Sequence, residues 1–103
     1  MRVIAVSALR DFWELHPRSE QPLKTWFEEA RFATWQSPLD IKRLYRSASV
    51  LKSGRVVFNI AGNNYRLVVA VLYDKQTVLI KFVGTHDEYN RIDAQTVNMR
   101  GRH

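Results

Sequence analysis

The segment GTHDEYNR, residues 84–91, holds a histidine, two acids, a tyrosine and an arginine within eight positions. Thr85 and Glu88 have the spacing of a capping box, in which each side chain accepts a hydrogen bond from a backbone N–H at a helix start. The pattern therefore predicts a short helix that begins at His86. His86 and Tyr89 are three residues apart, so they would lie on the same side of that helix.

These residue types suit the cleavage of RNA, because the 2′-hydroxyl of RNA supplies the nucleophile without a metal. We expect His86 to exchange a proton near neutral pH and Tyr89 to orient or protonate the leaving group. Arg66 and Lys81, on the strands discussed below, would neutralise the charge of the transition state. Glu88 is expected to serve the capping box and not as a base. The alternative is a structural role for His86 at the start of the helix.

Composition limits the classes of protein that are compatible with this chemistry. A chain of 103 residues that is 46% apolar should form one domain over residues 1–103. There are no cysteines, which excludes disulfides and thiolate metal sites. The three histidines have no metal-ligand spacing, so we expect neither a metal nor a cofactor. The apolar stretch at the start is too short for a signal peptide or membrane span, which indicates a cytoplasmic protein without membrane contact.

The charge balance favours an anionic partner. Sixteen Lys and Arg against ten Asp and Glu give a net charge of +6, which attracts nucleic acid or an acidic protein. A loose basic cluster follows residue 41 and is either an RNA-binding surface or a solvated loop. We predict RNA contacts from Arg43, Arg46, Lys52, Arg55 and Asn59.

Periodicity predicts an α+β fold. RVIAV (2–6) is a short first strand, followed by a helix capped by Ser7 and a second helix from about Ser19 to Trp35. After a turn and a short helical piece, RVVFNI, NYRLVVAVLY and TVLIKFV form an antiparallel meander. The two helices should pack on this sheet, and the segment after Thr85 should end the domain as a short helix.

Turn positions predict which side chains share a face of the sheet. Gly62-Asn63 at the tip of the first hairpin gives three pairs on one face: Ile60 with Tyr65, Phe58 with Leu67, and Val56 with Val69. Asn59 then lies opposite Arg66 on the other face. Lys75-Gln76 at the tip of the second hairpin gives three more pairs: Tyr73 with Val78, Val71 with Ile80, and Val69 with Phe82. This register puts Arg66 opposite Thr85, and it makes the centre of the other face polar.

Three separated segments resemble the HigB toxins of type II toxin–antitoxin systems, within the RelE superfamily. They are MRVIAVSALRDFWELHP, VVFNIAGNNYRLVVAVLY and IKFVGTHDEYNRIDAQTV. The resemblance implies a ribosome-dependent mRNA endoribonuclease that acts in the A site of the small ribosomal subunit. It also implies a RelE-like fold with two N-terminal helices on an antiparallel sheet. A non-catalytic basic module that binds RNA, ribosome or antitoxin is the alternative.

The same resemblance carries roles to individual residues. The YRL motif places a catalytic role on Arg66, THxEY places one on His86 and Tyr89, and IKF places one on Lys81. Asn59 in FNI is a weaker transfer. The sequence departs from the family as we know it at two positions: Asn64 stands where lysine is frequent, and Asp87 stands where alanine is common. The first change removes a positive charge near the site and the second adds a negative one, and both would weaken its contact with RNA.

A HigA-type helix-turn-helix antitoxin is the partner that the resemblance implies, with operator DNA contacted only through that antitoxin. Phe32 and Trp35 fall off the apolar stripe of the second helix. We predict that an antitoxin segment packs on these two side chains. The alternative is that they cover the edge of the sheet.

Overall fold

The computed structural model describes residues 1–99, which form helices packed on a five-stranded sheet. The elements are β1 (Arg2–Ile4), α1 (Val6–Leu15), α2 (Glu20–Phe32), α3 (Pro38–Leu44), β2 (Ser49–Val50), β3 (Arg55–Ile60), β4 (Tyr65–Leu72), β5 (Thr77–Thr85) and α4 (His86–Tyr89), with single 3₁₀ turns at Pro17–Ser19 and Lys52–Gly54. The strand order is β1-β5-β4-β3-β2.

The α+β fold, the short first strand and the meander of β3, β4 and β5 were all predicted from the sequence and are confirmed. Two features of the sheet were not predicted. β1 pairs in parallel with β5, so the sheet is mixed. A two-residue strand, β2, extends the sheet beyond β3.

The boundaries of the first two helices differ from the prediction. α1 begins at Val6 because Ala5, with a left-handed φ of 76°, is its N-cap and accepts from the Ala8 N–H at 3.0 Å. Ser7 therefore lies inside the helix. α2 ends at Phe32, since Ala33 is extended, with ψ of 156°. The chain beyond Ala33 is free to turn towards the sheet, which takes Trp35 into the core.

The first face of the sheet, which carries Val56, Phe58, Leu67 and Val69, packs against the helices and forms the core. The predicted stripe of α2 is confirmed, because its buried residues are Leu23, Trp26 and Ala30. The Trp26 ring meets Phe58 edge-on at 5.4 Å between centroids. Full burial of each large apolar side chain contributes about 1.5–3 kcal/mol. The first face is therefore the main source of stability.

The first hairpin, β3–β4, has the predicted register at all six paired positions, from Arg55 opposite Ala70 to Ile60 opposite Tyr65. Ala61 and Gly62 have positive φ values of 53° and 67°. A left-handed conformation is inexpensive for glycine, which has no Cβ. The tip therefore forms where the AGNN turn signal placed it.

The second hairpin, β4–β5, has a different register from the predicted one. The last pair is Leu72 with Thr77, so four residues form the loop, and Val71 pairs with Val78 instead of Ile80. Gln76 adopts a φ of 49°, and its N–H donates to Tyr73 O at 3.2 Å. The tip of the turn is thus Asp74-Lys75, one position earlier than predicted, which displaces the register by two residues. An even displacement keeps Val78 and Ile80 on the first face.

A β-bulge between Val68 and Val69 then changes the register again. Lys81 is the extra residue, because Val69 pairs with Ile80 whereas Val68 pairs with Phe82. Phe82 therefore lies on the second face of the sheet, not on the core face as predicted. Arg66 lies opposite Gly84, and Tyr65, not Arg66, lies opposite Thr85.

The second face is apolar at its centre, contrary to the prediction. Val57 and Val68 are 3% and 0% exposed, yet they lie outside the core cluster of the first face. The C-terminal segment, residues 90–99, reaches this face at Arg55. One guanidinium nitrogen of Arg55 donates to Ala94 O at 3.0 Å and to Val97 O at 2.8 Å, which holds the segment in place.

Candidate active site

Arg66 is a buried cation at the end of the second face that adjoins the first hairpin. It is 9% exposed. Its Nη1 donates to Asn63 O and Tyr65 O, both at 3.1 Å, and Nη2 reaches Asn63 Oδ1 at 3.5 Å. Within residues 1–99 no carboxylate oxygen lies within 4.0 Å of the guanidinium. A guanidinium has five N–H donors, so two are left to meet an anion.

The burial of a charge without a countercharge is costly, and proteins normally pair such groups. The carbonyl partners of Arg66 satisfy some donors but supply only partial negative charge. A phosphate arriving at the remaining donors would therefore be bound by a charge-assisted hydrogen bond in a poorly solvated place. This makes Arg66 the anchor of an anion site.

The predicted capping box is confirmed and places α4 beside Arg66. Thr85 Oγ1 accepts from the Glu88 N–H at 3.1 Å, and Glu88 Oε1 accepts from the Thr85 N–H at 2.8 Å. The His86 N–H donates to Asn64 O at 3.1 Å, which ties the start of α4 to the tip of the first hairpin. Backbone contacts of one hairpin thus fix both Arg66 and the helix that carries the histidine.

Gly84 permits this arrangement because a side chain would not fit there. A Cβ at this position would lie 2.4 Å from Cζ of Phe82 and 2.9 Å from Oε1 of Glu88. The ring of Phe82 and the capping carboxylate occupy the space next to Arg66. Any residue larger than glycine would displace the capping box and, with it, α4.

His86 and Tyr89 lie on α4 with different exposure. His86 is exposed, and its Nδ1 lies 3.4 Å from Nδ2 of Asn90. The Asn90 amide can donate or accept, so it can pair with either tautomer and leaves Nε2 for a ligand. Tyr89 is half-buried, and its ring centroid lies 5.8 Å from Cζ of Arg66, within cation–π distance. Tyr89 therefore connects the guanidinium to the exposed histidine.

The other two predicted residues of this site occupy different positions. Asn59 is half-buried and lies directly opposite Arg66, as predicted. Lys81 is the half-buried bulge residue of β5, three positions before Gly84. The predicted register of the second hairpin, continued along the strands, would place Lys81 opposite Ala70, which is wrong because Leu79 occupies that place.

The predicted RNA-binding residues fall into two groups. Arg43, Arg46 and Lys52 are exposed, in or after α3, close to the β2 edge of the sheet. β2 and β5 are three strand spacings apart, roughly 14 Å, so these cations lie at a distance from α4. Arg55, in contrast, is half-buried and holds the C-terminal segment, so its guanidinium is not presented on the surface as predicted.

The two aromatic residues predicted to contact an antitoxin also separate. Phe32 is 72% exposed, and the guanidinium carbon of Arg31 lies 4.9 Å from its ring centroid. Trp35 is only 5% exposed and stacks on Phe58 at 6.4 Å between centroids. The prediction that Trp35 is a surface aromatic is wrong, because the chain turns inward once α2 has ended. The role of Phe32 stays a prediction.

Four residues contribute to this site that the sequence did not predict. The carbonyls of Asn63 and Asn64 hold Arg66 and α4, Asn90 meets the imidazole, and Gly84 makes room for the cap. The signal for the asparagines was the AGNN turn, which was interpreted only as hairpin chemistry. The signal for Gly84 was a lone glycine inside a strand pattern, which often marks a close approach.

Residues 19–92 match the HigB toxin family, described as the RelE-like toxic component of a toxin–antitoxin system. The chain belongs to this family. It is also 29% identical over 96 residues to the mRNA interferase toxin HigB of Escherichia coli K12, with 91% of this chain and 92% of that protein covered. Proteins named mRNA interferase HigB from Escherichia coli O157:H7 and Shigella flexneri match with the same identity and coverage.

Two further observations apply to the part of the chain that the structure describes. No helix within residues 1–99 is long and apolar enough to cross a membrane. In the same residues, no three His, Asp or Glu side chains group so that they could hold a metal ion.

Proposed function

We propose that this HigB-family protein is an mRNA endoribonuclease toxin that cuts by attack of the 2′-hydroxyl on the adjacent phosphate. The observation that carries the proposal is the buried guanidinium of Arg66, which has no carboxylate partner in the described residues and lies beside the helix with the exposed His86. A buried cation without a countercharge is arranged to receive an anion. The relatives named mRNA interferase indicate that this anion is an RNA phosphate.

The residues take roles according to their exposure. His86 is the exposed titratable group, so its Nε2 accepts the proton of the 2′-hydroxyl. The 2′-oxygen forms a bond to phosphorus and the bond between phosphorus and the 5′-oxygen breaks, which gives a 2′,3′-cyclic phosphate and a free 5′-hydroxyl. Tyr89 donates a proton to the leaving oxygen. Arg66 neutralises the charge that accumulates on the phosphoryl oxygens.

Asn59 and Lys81 support the phosphate from the two strands, β3 and β5, that flank β4. Asn59 lies opposite Arg66, so its amide can bind a phosphate oxygen or a sugar hydroxyl. Lys81 adds positive charge at the bulge of β5. We assign both residues secondary roles, because Arg66 is the cation that lies over the Tyr89 ring of α4.

The partners in this proposal are mRNA, a HigA-type helix-turn-helix antitoxin and the A site of the small ribosomal subunit. Exposed Arg43, Arg46 and Lys52 would meet ribosomal RNA or message away from the cut. Exposed Phe32 is the contact that we assign to the antitoxin. Operator DNA would be contacted only through the antitoxin.

The test is to map the 5′ ends of cellular transcripts after brief expression of the wild-type protein, His86→Ala and a control, Gln95→Ala. Gln95 is exposed on the C-terminal segment, six positions after the last residue of α4. We expect new ends with the wild type and Gln95→Ala, and a loss of at least tenfold in their yield with His86→Ala. Equal profiles for all three proteins and an empty vector would leave only a module that binds without cutting. Comparison of a translated with an untranslated message tests the ribosome requirement.

A further inference from the structure

A cavity of about 410 Å³ lies between α2, the residue that follows α3, and the outer edge of β3. Most of its lining is apolar, and its polar groups come from both sides of the strand. The residues with polar groups are Gln21, Thr25, Trp26, Glu29, Tyr45 and Asn59. The cavity thus extends from the helix layer to a residue of the second face.

The edge of β3 that borders this cavity has no strand beside it in residues 1–99. β2 pairs only with Val56 and Val57, which leaves the outer edge of residues 58–60 uncovered by the sheet. An uncovered strand edge presents backbone N–H and C=O groups. The wall of the cavity therefore offers main-chain donors and acceptors to a flat, polar ligand.

Trp26 contributes a buried donor to the same cavity. Its side chain is 1% exposed, and its indole Nε1 has no hydrogen-bond partner among the described residues. Burial of an N–H without an acceptor is unfavourable. A ligand in the cavity would lie against the Trp26 side chain, and a small shift of the wall would give the buried donor an acceptor.

Among the described residues, Glu29 supplies the only charged group of the lining. Its carboxylate accepts a hydrogen bond from the hydroxyl of Tyr45. Burial, together with that carboxylate, raises the pKa of Tyr45 above its usual value. The hydroxyl therefore stays protonated and the carboxylate stays an acceptor. A carboxylate repels phosphate, whereas it accepts hydrogen bonds from amino groups, including those of nucleobases.

Asn59 connects this cavity to the anion site. It lines the cavity and is paired with Arg66 across the first hairpin. The Cα atoms of directly opposed residues are roughly 5 Å apart. A nucleotide whose phosphate is bound at Arg66 would therefore have its neighbouring base within reach of the β3 edge.

We propose that the cavity binds one unstacked nucleobase of the RNA, next to the phosphate at Arg66, and that Glu29 selects a base with an exocyclic amino group over uracil. This inference rests on the proposed ribonuclease function and names the part of the RNA that the site recognises. Single-stranded RNA is recognised in general by hydrogen bonds to the edges of bases that have left the stack. The shared Asn59 favours RNA over a protein side chain as the occupant.

The first test compares cleavage-site profiles of the wild type, Glu29→Gln and the matched control Glu28→Gln. Glu28 is exposed on the same helix and pairs with Arg31 at 3.3 Å, outside the cavity lining. We expect the wild type and Glu28→Gln to avoid uracil at one fixed position beside the cut. Glu29→Gln should raise the share of uracil there by about tenfold. The glutamine can still accept the Tyr45 hydroxyl, so folding should be kept.

Three outcomes of that comparison would contradict the inference, and each has a different meaning for the proposed function. If all three proteins cut with the same base profile, the cavity is not a base site, and the ribonuclease function stands. If none of them cuts RNA, the proposed function fails and this inference fails with it. If Glu29→Gln weakens antitoxin binding and leaves the cleavage profile unchanged, the cavity belongs to a protein partner.

A second test measures binding without cleavage. The indole N–H signal of Trp26, assigned with Trp26→Phe, is followed by NMR while AMP, GMP, CMP and UMP are added. We expect AMP, GMP and CMP to shift this signal and UMP to leave it unshifted. The signals of Trp13 and Trp35 should not change with any nucleotide. Absence of a shift with every nucleotide at millimolar concentration would overturn the inference, whatever the cleavage assay finds.

Discussion

The two ends of the second face each carry an arginine bound to main-chain carbonyls, yet the two arginines have different surroundings. Arg66 donates to Asn63 and Tyr65, which belong to its own hairpin. Arg55 donates to Ala94 and Val97, which follow it by 39 and 42 positions. Neither guanidinium has a carboxylate within 4.0 Å in residues 1–99.

The two arginines differ in which part of the chain lies next to the guanidinium. The carbonyls that hold Arg66 are local, so α4 with its exposed His86 can approach the guanidinium. The carbonyls that hold Arg55 belong to the C-terminal segment, which covers that end of the face. The same residue type on the same face therefore anchors an anion site at one end and a chain segment at the other. The sequence predicted a contact with RNA for both, a catalytic one for Arg66 and a binding one for Arg55.

The largest expected effect compares Arg66→Gln with Arg55→Gln. Loss of the cation at Arg66 should lower the rate of RNA cleavage by about 10²–10³-fold, because a donor to the transition-state charge is removed. Arg55→Gln should lower the rate by less than tenfold and reduce the free energy of unfolding by about 1–3 kcal/mol, because buried carbonyls lose their partner. Cleavage rates and chemical unfolding measure the two quantities.

Hydrogen exchange adds a control for this pair of variants. Arg55→Gln should speed amide exchange in residues 90–99, whereas Arg66→Gln should not. If both variants lower cleavage equally and leave exchange unchanged, the two arginines have the same role and the two ends of the face do not differ in function.

An intermediate effect is expected from Val68→Ala and Val69→Ala, which probe the centre of the two faces. Both valines are 0% exposed, Val68 on the second face and Val69 on the first. Each substitution should lower the free energy of unfolding by about 2 kcal/mol, since Val68 on the second face is as fully buried as Val69 on the first. Val50→Ala, on the exposed β2, should cost less than about 0.5 kcal/mol.

If only Val69→Ala lowers the free energy of unfolding, the second face is not a packed layer in solution. Arg55 would then lack the clamping role that separates it from Arg66. Thermal or urea unfolding of the three variants under one set of conditions gives the comparison.

The smallest effect concerns Tyr45→Phe, at the β3 edge next to the Arg66 end. The pKa of Tyr45 is raised in the folded protein by burial and by Glu29. Above pH 10 the unfolded chain loses the tyrosine proton while the folded protein keeps it, so the stability contributed by this group falls as the pH rises. Tyr45→Phe should therefore lose less stability than the wild type between pH 10 and 11. Parallel curves from urea unfolding at several pH values would contradict the proposed Glu29–Tyr45 pair.

Local features of the site could be predicted because they depend on neighbours in sequence. The capping box of Thr85 and Glu88 needs only the three-residue spacing. The register of the first hairpin follows from its two-residue tip, so Asn59 opposite Arg66 was predictable. The apolar stripe of α2 likewise follows from helical spacing.

Features that depend on distant residues could not be obtained in this way. The β4–β5 register failed because the loop closes at Leu72 and Thr77 and because a bulge at Lys81 follows it. Both features reflect how β5 packs between β4 and β1, which turn residues do not encode. The burial of Trp35 depends on the end of α2 at Phe32.

By itself the sequence determined the α+β class, the meander, the cap of α4 and the pairing that places Asn59 and Arg66 on one face. These features follow from residue spacing, turn chemistry and the alternation of side chains along a strand. Only the tertiary structure decided that Arg66 is buried without a carboxylate, that Arg55 binds the C-terminal segment, and that a cavity joins Glu29 to Asn59. These features arise from contacts between residues far apart in the chain, and the interior packs so closely that each contact depends on all the others.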